Sequence, residues 1–238
     1  MKMKGKKVVS INFILVVVIL SVFFLSLIGN NDVKVVYVSE VKAIYRGDEK
    51  KNNVSLMFNV YENTDIVKNI IRVLNENNVK ATFFVGGCWA DDNEETLSLI
   101  RDSGNEIGNH GYFHKDHKKL DYTGNKNEIY NTYKIVKELS GVETKLFAPP
   151  SGSFSSVTLD TADDLGYKII MWSKDTIDWR DNEEEKIISR ATKNLSNGDL
   201  ILMHPKPHTL NALNSIISII IDKGFNIVSV GENIGLSV

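Results

Sequence analysis

From residue 54 onward, short apolar runs alternate with amphipathic stretches, and this alternation limits the possible folds more than any other feature. The runs are rich in β-branched residues, as buried parallel strands are. The predicted strands are Val54–Val60, Ala81–Val85, Glu106–Asn109, Lys145–Ala148, Lys168–Trp172, Asp199–Met203 and Phe225–Val230. The predicted helices are Asp65–Asn77 with Thr64 as N-cap, Glu94–Ser103, Asn125–Ser140, Ser156–Leu165, Glu183–Asn194 and Thr209–Lys223. About seven such β-then-α units predict an α/β fold whose parallel sheet closes, or nearly closes, into a barrel.

An uncharged apolar segment precedes this domain. Residues 8–29 would form about 33 Å of helix, enough to cross a hydrocarbon core of about 30 Å. The four lysines within residues 1–7 would stay in the cytoplasm. We therefore expect a single-pass transmembrane helix in the cell membrane, with the domain on the extracytoplasmic side. A cleaved signal peptide and a buried core helix are the alternatives. Residues 30–53 are expected to form a linker, and residues 54–238 the domain.

Charge and cysteine content exclude several classes of function. After the N-terminal lysines, acidic residues outnumber basic ones, so the domain is a poor binder of nucleic acid. Because Cys88 is the only cysteine, the chain can form neither an internal disulfide nor a cysteine-based zinc site. We expect a monomer without a nucleic-acid partner.

Polar and titratable side chains lie at the C-terminal ends of several predicted strands. In a parallel barrel, the C-terminal ends of the strands carry the active site. Asn59, His110, Asp175 and His204 all lie at, or just beyond, such an end. All five histidines fall into two clusters that each start there. The sequence therefore predicts one functional site at one mouth of the barrel.

Two histidines in the run NHGYFHKDH have the spacing of metal ligands. His110 and His114 form an i, i+4 pair that can present two imidazoles to one ion. His117 is a candidate third ligand. The alternative is a solvated surface loop in which the histidines have no common role.

The downstream motifs WSKDTIDW and DLILMH add acids, tryptophans and one more histidine. Asp175, Asp178 and Trp179 predict a polar network beside an apolar wall, or else a capped turn packed by tryptophan. His204 ends a buried run, where an imidazole can act as acid or base near neutral pH. A core histidine with satisfied hydrogen bonds is the alternative.

Five segments between about residues 54 and 234 resemble the NodB-type polysaccharide deacetylases, carbohydrate esterase family 4, in its sporulation-associated branch. They are NVKATFFVGG, EIGNHGYFH, FAPPSGSF, DTIDW and GDLILMH. The resemblance implies a distorted (β/α)7-8 barrel that removes acetyl groups from N-acetylglucosamine-containing polysaccharide such as peptidoglycan or chitin. It also implies a divalent metal, Zn or Co, held by one Asp and two His, with a second Asp as general base and a His as general acid.

Carried over residue by residue, the resemblance assigns His110 and His114 to the metal. It assigns His204 to the general acid and Asp175 to the carboxylate that orients this histidine. The substrate-binding residues that it implies are Pro149, Pro150, Tyr61 and Trp179.

The first family motif, Thr-Phe-Asp-Asp-Gly, is altered in this chain. Asn59 stands at the position of the base, Val60 at that of the metal aspartate, and Ala148 at that of an arginine that pairs with the base. An amide has no useful basicity, so the rate of hydrolysis should fall by roughly 10²–10⁴. Valine has no donor atom, so the metal should bind more weakly. The candidates for a replacement ligand are Asp65, Asp116, Glu62 and His117.

Three functions follow from these observations. The leading expectation is a membrane-anchored, metal-dependent deacetylase of cell-wall or spore glycan. The second is a glycan-binding homologue that has lost turnover, which the changes at Asn59, Val60 and Ala148 favour. The third, an unrelated barrel hydrolase, is disfavoured by the five ordered motifs.

Overall fold

The computed structural model describes residues 13, 15–21 and 42–236, and the chain divides after residue 40 into two units. In the first unit, residues 15–21 are helical. Among the described residues, no helix is long and apolar enough to cross a membrane. Most of the anchor predicted at 8–29 lies outside the described residues, so the anchor stays a prediction.

The second unit is built on a parallel sheet, as predicted. Its strands are β1 Asn53–Val60, β2 Thr82–Val85, β3 Glu106–Asn109, β4 Leu146–Phe147, β5 Lys168–Ile169, β6 Lys174–Asp175, β7 Leu200–Met203 and β8 Asn226–Ile227. The strand order is β5-β4-β3-β2-β1-β7-β6, and β8 pairs with the start of β1. In the part of the chain that the structure describes, no ladder joins β5 to β6. The sheet is therefore a half-barrel, more open than the predicted barrel.

Helices follow most of the strands and cover one face of the sheet. They are α1 Thr64–Glu76, α2 Gly87–Asp92, α3 Glu94–Asp102, α4 Tyr122–Ser140, α5 Ser156–Asp164, α6 Glu184–Thr192, α7 Pro207–Asp222 and α8 Val230–Asn233. Every predicted helix is present, while α2, α8 and β6 were not predicted. The predicted N-cap of α1 was wrong by one residue. Asn63 holds that position with a φ of 61°, whereas the hydroxyl of Thr64 donates to Asn93.

Side chains of β1 alternate between two cores, as the twofold period of a strand requires. Phe58 and Val60 pack in an outer core between the sheet and the helices. Met57 packs in an inner core on the concave side of the sheet, together with Phe84 and Leu202. At the end of β1, the neighbours Asn59 and Val60 therefore point to opposite faces of the sheet. Asn59 points to the concave side, and Val60 points under the helices.

The segment 42–48 belongs to the domain, which corrects the predicted linker of residues 30–53. Ile44 exchanges two backbone hydrogen bonds of 2.8 Å with the chain around the end of β5. Arg46 lies 3.0 Å from the buried carboxylate of Asp199, just before β7. We call residues 42–48 the N-terminal strap, since they connect the two sides of the open sheet.

Candidate functional site

A cavity of about 550 Å³ opens at the C-terminal ends of the strands. Its walls are Asn59, Tyr61, Glu62, His110, His114, Ser151, Trp172, Asp175, Trp179, Leu202, His204, Pro205 and Lys206. Seven of the nine site residues predicted from the sequence are in this set. The cavity therefore brings His110 and His114 of the first histidine cluster together with His204 of the second.

Pro149 and Pro150, predicted to bind substrate, lie outside the cavity wall. Pro150 begins a short 3-10 turn that ends at Gly152. Ser151 in this turn lines the cavity and has a φ of 55°. A Cβ atom at position 152 would lie 2.7 Å from the ring of Trp172, so glycine permits the close packing of the turn on this wall. The prolines thus act on the cavity through the turn that they shape.

His110 is buried, and a backbone carbonyl sets its orientation. Its Nδ1 lies 2.7 Å from the carbonyl oxygen of Ala148. Since a carbonyl can only accept, Nδ1 carries the proton and Nε2 keeps a lone pair. Burial, and to a lesser extent the neighbouring His114, lower the pKa of His110 to about 3. This imidazole is therefore neutral at pH 7.

His114 lies beside His110, with ring centroids 5.1 Å apart and ring planes at 67°. Its backbone is left-handed, with a φ of 54°. The ring of Tyr61 packs against it at a centroid distance of 5.1 Å. Burial lowers the pKa of His114 as well. The pair thus offers two neutral imidazoles, each with one nitrogen lone pair.

A buried carboxylate on α4 holds the loop that carries His114. One oxygen of Glu128 accepts the backbone N–H of Phe113 at 2.7 Å. Its other oxygen lies 3.4 Å from Nζ of Lys115. Because these two partners flank His114 in the chain, Glu128 restrains the loop on both sides of the histidine.

His117 lies in the core and does not line the cavity. Its Nδ1 is 2.7 Å from Oδ1 of Asn125, and its ring packs against Phe147. Its buried Nε2 has no hydrogen-bond partner. The structure therefore gives no support to His117 as a third ligand beside the histidine pair.

The histidine pair has the geometry of two metal ligands, but Val60 replaces the aspartate of the family's metal site. Two imidazoles bound to one ion at about 2.0–2.1 Å in a tetrahedral arrangement have ring centroids about 5 Å apart. His110 and His114 meet this condition. Val60, at the place of the family's aspartate, is fully buried in the outer core. The pair alone does not reproduce a site of one Asp and two His.

The other candidates do not complete the site either. Glu62 lines the cavity but is ion-paired with Lys206. Asp116 accepts a hydrogen bond of 2.6 Å from Ser153, and neither Asp116 nor Asp65 lines the cavity. Among the described residues, no group of three or more His, Cys, Asp or Glu side chains is arranged to hold a metal ion. The residues present therefore do not fit the family's metal centre.

His204 pairs with Asp178, and the prediction that Asp175 orients it was wrong. Nδ1 of His204 lies 2.7 Å from Oδ1 of Asp178. The other carboxylate oxygen accepts the backbone N–H of His204 and the hydroxyl of Thr209. Burial by itself raises the pKa of Asp178, but hydrogen bonds from His204 and Thr209 outweigh it and hold the pKa below its ordinary value.

The chain between the two acids explains this difference. Asp175 accepts the backbone N–H of Ile177 at 2.7 Å, and Ile177 adopts a left-handed φ of 55°. This turn carries the second acid of the motif, Asp178, to His204. Asp175 remains in the cavity wall.

Sequence reasoning missed several residues of the cavity wall. They are Glu62 (considered only as a ligand), Ser151, Trp172, Leu202, Pro205 and Lys206. All of them lie within a few residues of the C-terminal end of a strand. Their position near a strand end was the signal that could have identified them as part of the site. Their residue types alone do not indicate a functional role.

The domain is thus a parallel half-barrel with a histidine-lined cavity at its C-terminal mouth. The family described as Polysaccharide deacetylase matches residues 46–170, more than half of the chain. The chain therefore belongs to the polysaccharide deacetylase family.

Two curated relatives support this membership. The uncharacterized protein YlxY of Bacillus subtilis is 35% identical over 189 residues, which cover 79% of this chain and 59% of YlxY. This chain thus spans less than two thirds of that relative. A peptidoglycan-N-acetylglucosamine deacetylase of Bacillus cereus is 30% identical over 198 residues, which cover 81% of this chain and 72% of that enzyme.

Among solved structures, a CE4 family pseudoenzyme from Bacillus anthracis is similar, with a TM-score of 0.80 and 32% identity. The match covers 82% of this chain and 70% of the pseudoenzyme. A mutant of the same pseudoenzyme with restored enzymatic activity also matches, with a TM-score of 0.80, 31% identity and coverage of 82% and 72%.

Proposed function

We propose that this chain binds cell-wall glycan built on N-acetylglucosamine, with peptidoglycan as the first candidate, and does not hydrolyse it as a complete deacetylase does. The observation that carries the proposal is the contrast between the cavity wall and the altered first motif. Histidine and tryptophan walls are kept, while the base position holds Asn59 and the metal-aspartate position holds Val60.

Physical chemistry supports the loss of turnover. A carboxylate that takes a proton from the attacking water contributes roughly 10²–10⁴ to the rate, and the amide of Asn59 cannot replace it. Val60 packs in the outer core and offers no ligand atom. The similarity to a CE4 pseudoenzyme supports the same interpretation.

Binding itself needs only the shape and the walls of the cavity. A volume of about 550 Å³ lies within the range of small-molecule sites and suits one or two sugar units. Trp179 is 56% exposed and offers an aromatic face to a sugar ring at the mouth. Lys206, Glu62 and Asp175 supply polar groups for hydroxyls around it.

A second candidate is a slow deacetylase, which the pair of His204 and Asp178 favours. With Nδ1–H donated to Asp178, Nε2 of His204 is free to take a proton from a water that attacks the acetamide carbonyl. The same nitrogen would return the proton to the leaving amine when the C–N bond breaks, yielding acetate and a free amino group. Asp178 would stabilise the intermediate imidazolium. No step in this route uses a metal ion.

The proposal includes a location outside the cytoplasm. The uncharged segment 8–29 and the lysines before it support an anchor in the cell membrane with the domain on the extracytoplasmic side, next to the wall glycan. The sporulation-associated motifs support spore glycan as a further ligand to be compared with the vegetative wall.

Calorimetry on the full-length chain in detergent tests the proposal. Titration with N-acetylglucosamine tetramer and with soluble peptidoglycan fragments should give binding, which Trp179→Ala weakens about tenfold. Tyr130→Ala removes an exposed aromatic residue from α4, outside the cavity, and is the matched control.

An acetate assay on the same samples, with and without added zinc or cobalt, separates the two candidates. The binding function predicts no more acetate than His204→Ala releases. Acetate clearly above this control establishes the second candidate. Absence of binding to either glycan would refute the first.

A further inference from the structure

Two imidazole nitrogens of the cavity wall are hydrogen-bond acceptors. His110 donates Nδ1–H to Ala148 and His204 donates Nδ1–H to Asp178, so both rings keep a lone pair on Nε2. Asn59 is 5% exposed, and its Oδ1 has no hydrogen-bond partner. This oxygen is buried out of a ligand's reach, so the two imidazole nitrogens are the acceptors that a bound donor would meet.

Among the described side chains of the cavity wall, one carboxylate forms no ion pair within 4 Å. Among the described side chains of this wall, the charged ones are Glu62, Asp175 and Lys206, and the first and last form an ion pair with each other. The charge of Arg180 interacts with that of Asp175, but its guanidinium is hydrogen-bonded to Asp181 at 2.9 Å. Asp175 is thus the carboxylate available to a ligand.

An acetylated and a deacetylated sugar differ in how they match this surface. An acetamido group offers one N–H and a carbonyl oxygen that requires a donor. A protonated amine offers three N–H donors, a positive charge and no acceptor. Acceptors and an unpaired carboxylate therefore complement the amine better. The faces of Trp172 and Trp179 in the same wall can add a cation–π contribution.

We infer that the cavity prefers a glycan unit with a free amino group, a protonated glucosamine, over its N-acetylated form. This inference rests on the proposed function, which makes the cavity a glycan site. Such a ligand is the product of amide hydrolysis, so a separate deacetylase would have to supply it. The ammonium would lie against the carboxylate of Asp175 in the cavity wall.

The test compares two tetrasaccharides, fully N-acetylated and fully N-deacetylated, by calorimetry on the full-length chain at physiological ionic strength. The wild type should bind the deacetylated form about tenfold more tightly, the factor expected for one charge-assisted hydrogen bond. Asp175→Asn keeps an acceptor for Ile177 but removes the charge, and should abolish the preference. Asp160→Asn removes the same charge from the exposed surface of α5 and should leave the preference intact.

Each outcome bears on a different statement. Equal binding of the two sugars, or tighter binding of the acetylated one, overturns the inference and leaves the proposed function standing. A preference that Asp160→Asn reduces as much as Asp175→Asn is general charge attraction, and also overturns it. Binding of neither sugar refutes the proposed function itself. Melting curves of both variants confirm that they are folded.

Discussion

The carboxylate of Asp178 accepts the Nδ1 proton of His204 at 2.7 Å while only 1% of the acid is exposed to solvent. The same carboxylate also accepts the backbone N–H of His204. These bonds determine which ring nitrogen faces the cavity. They make the pair a single unit whose stability and chemistry can be tested together.

Replacing Asp178 by Asn should destabilise the domain by about 1–3 kcal/mol. Asparagine has one accepting oxygen where the acid has two, so at least one of the donors from His204 and Thr209 loses its partner. Urea denaturation measures the change. Asp175→Asn is the matched control and should cost less than about 1 kcal/mol, because its oxygen still accepts Ile177 N–H. Equal losses in both variants would contradict the pairing.

Restoring the two acids of the first motif should create activity. Asn59→Asp with Val60→Asp, in the presence of zinc, should raise acetate release at least about 10²-fold above the wild type; the gain requires the new carboxylate at position 60 to turn from the outer core to the histidine pair. Without metal, the double variant should melt at a lower temperature, because Val60 is fully buried and a carboxylate there is unpaired. Adding His110→Ala to the double variant should remove the gain in acetate release. A double variant that binds zinc but releases no acetate would indicate that Ala148 is the limiting change.

The stability of the domain should fall in mild acid because of His110. Its pKa is about 3 in the folded protein against an ordinary value of 6.5, so below pH 6.5 the unfolded chain binds a proton that the folded chain does not. Between pH 7.5 and pH 5 this difference lowers the free energy of unfolding by about 2 kcal/mol. His110→Gln can still donate to Ala148 but does not titrate. Urea titrations at the two pH values should show a loss smaller by that amount in the variant; an identical loss would argue against the depressed pKa.

Glu128→Ala should cost about 2 kcal/mol and weaken glycan binding. The change removes the acceptor of the Phe113 N–H and the partner of Lys115, so the loop around His114 loses both restraints. Glu138→Ala, on the exposed face of the same helix, controls for helix propensity and should change the free energy of unfolding by less than about 0.5 kcal/mol. Denaturation and calorimetry are the two measurements. Unchanged binding would show that the loop keeps its shape without the carboxylate.

The sheet and its main helices could be predicted from the sequence because their patterns are local. Buried strands are continuous apolar runs, and helices show a repeating apolar face. Strand β6 was not predicted, because Lys174 and Asp175 are polar and form a strand only by pairing with β7. The N-terminal strap was not predicted for a similar reason: its pairing partners lie more than a hundred residues further along the chain.

The residues of the site could be predicted from the sequence, but their hydrogen-bond partners could not. The strand ends placed His110, His114 and His204 at one mouth, where the cavity lies. Which acid of the DTIDW motif pairs with His204 depends on the left-handed turn at Ile177, a conformation that spacing does not encode. The burial of His117 depends in a similar way on its contact with Asn125 from α4.

The N-terminal strap determines how the domain would respond to mechanical load. The chain enters the domain through Ile44 and Arg46, so a pull from the N-terminal side reaches their few hydrogen bonds and one ion pair before it reaches β1. These contacts would rupture at low force, while the long, fully buried β1 in the centre of the sheet would still resist. The strap would then act as a short extensible segment that keeps tension on the N-terminal side from reaching the central strand and the cavity.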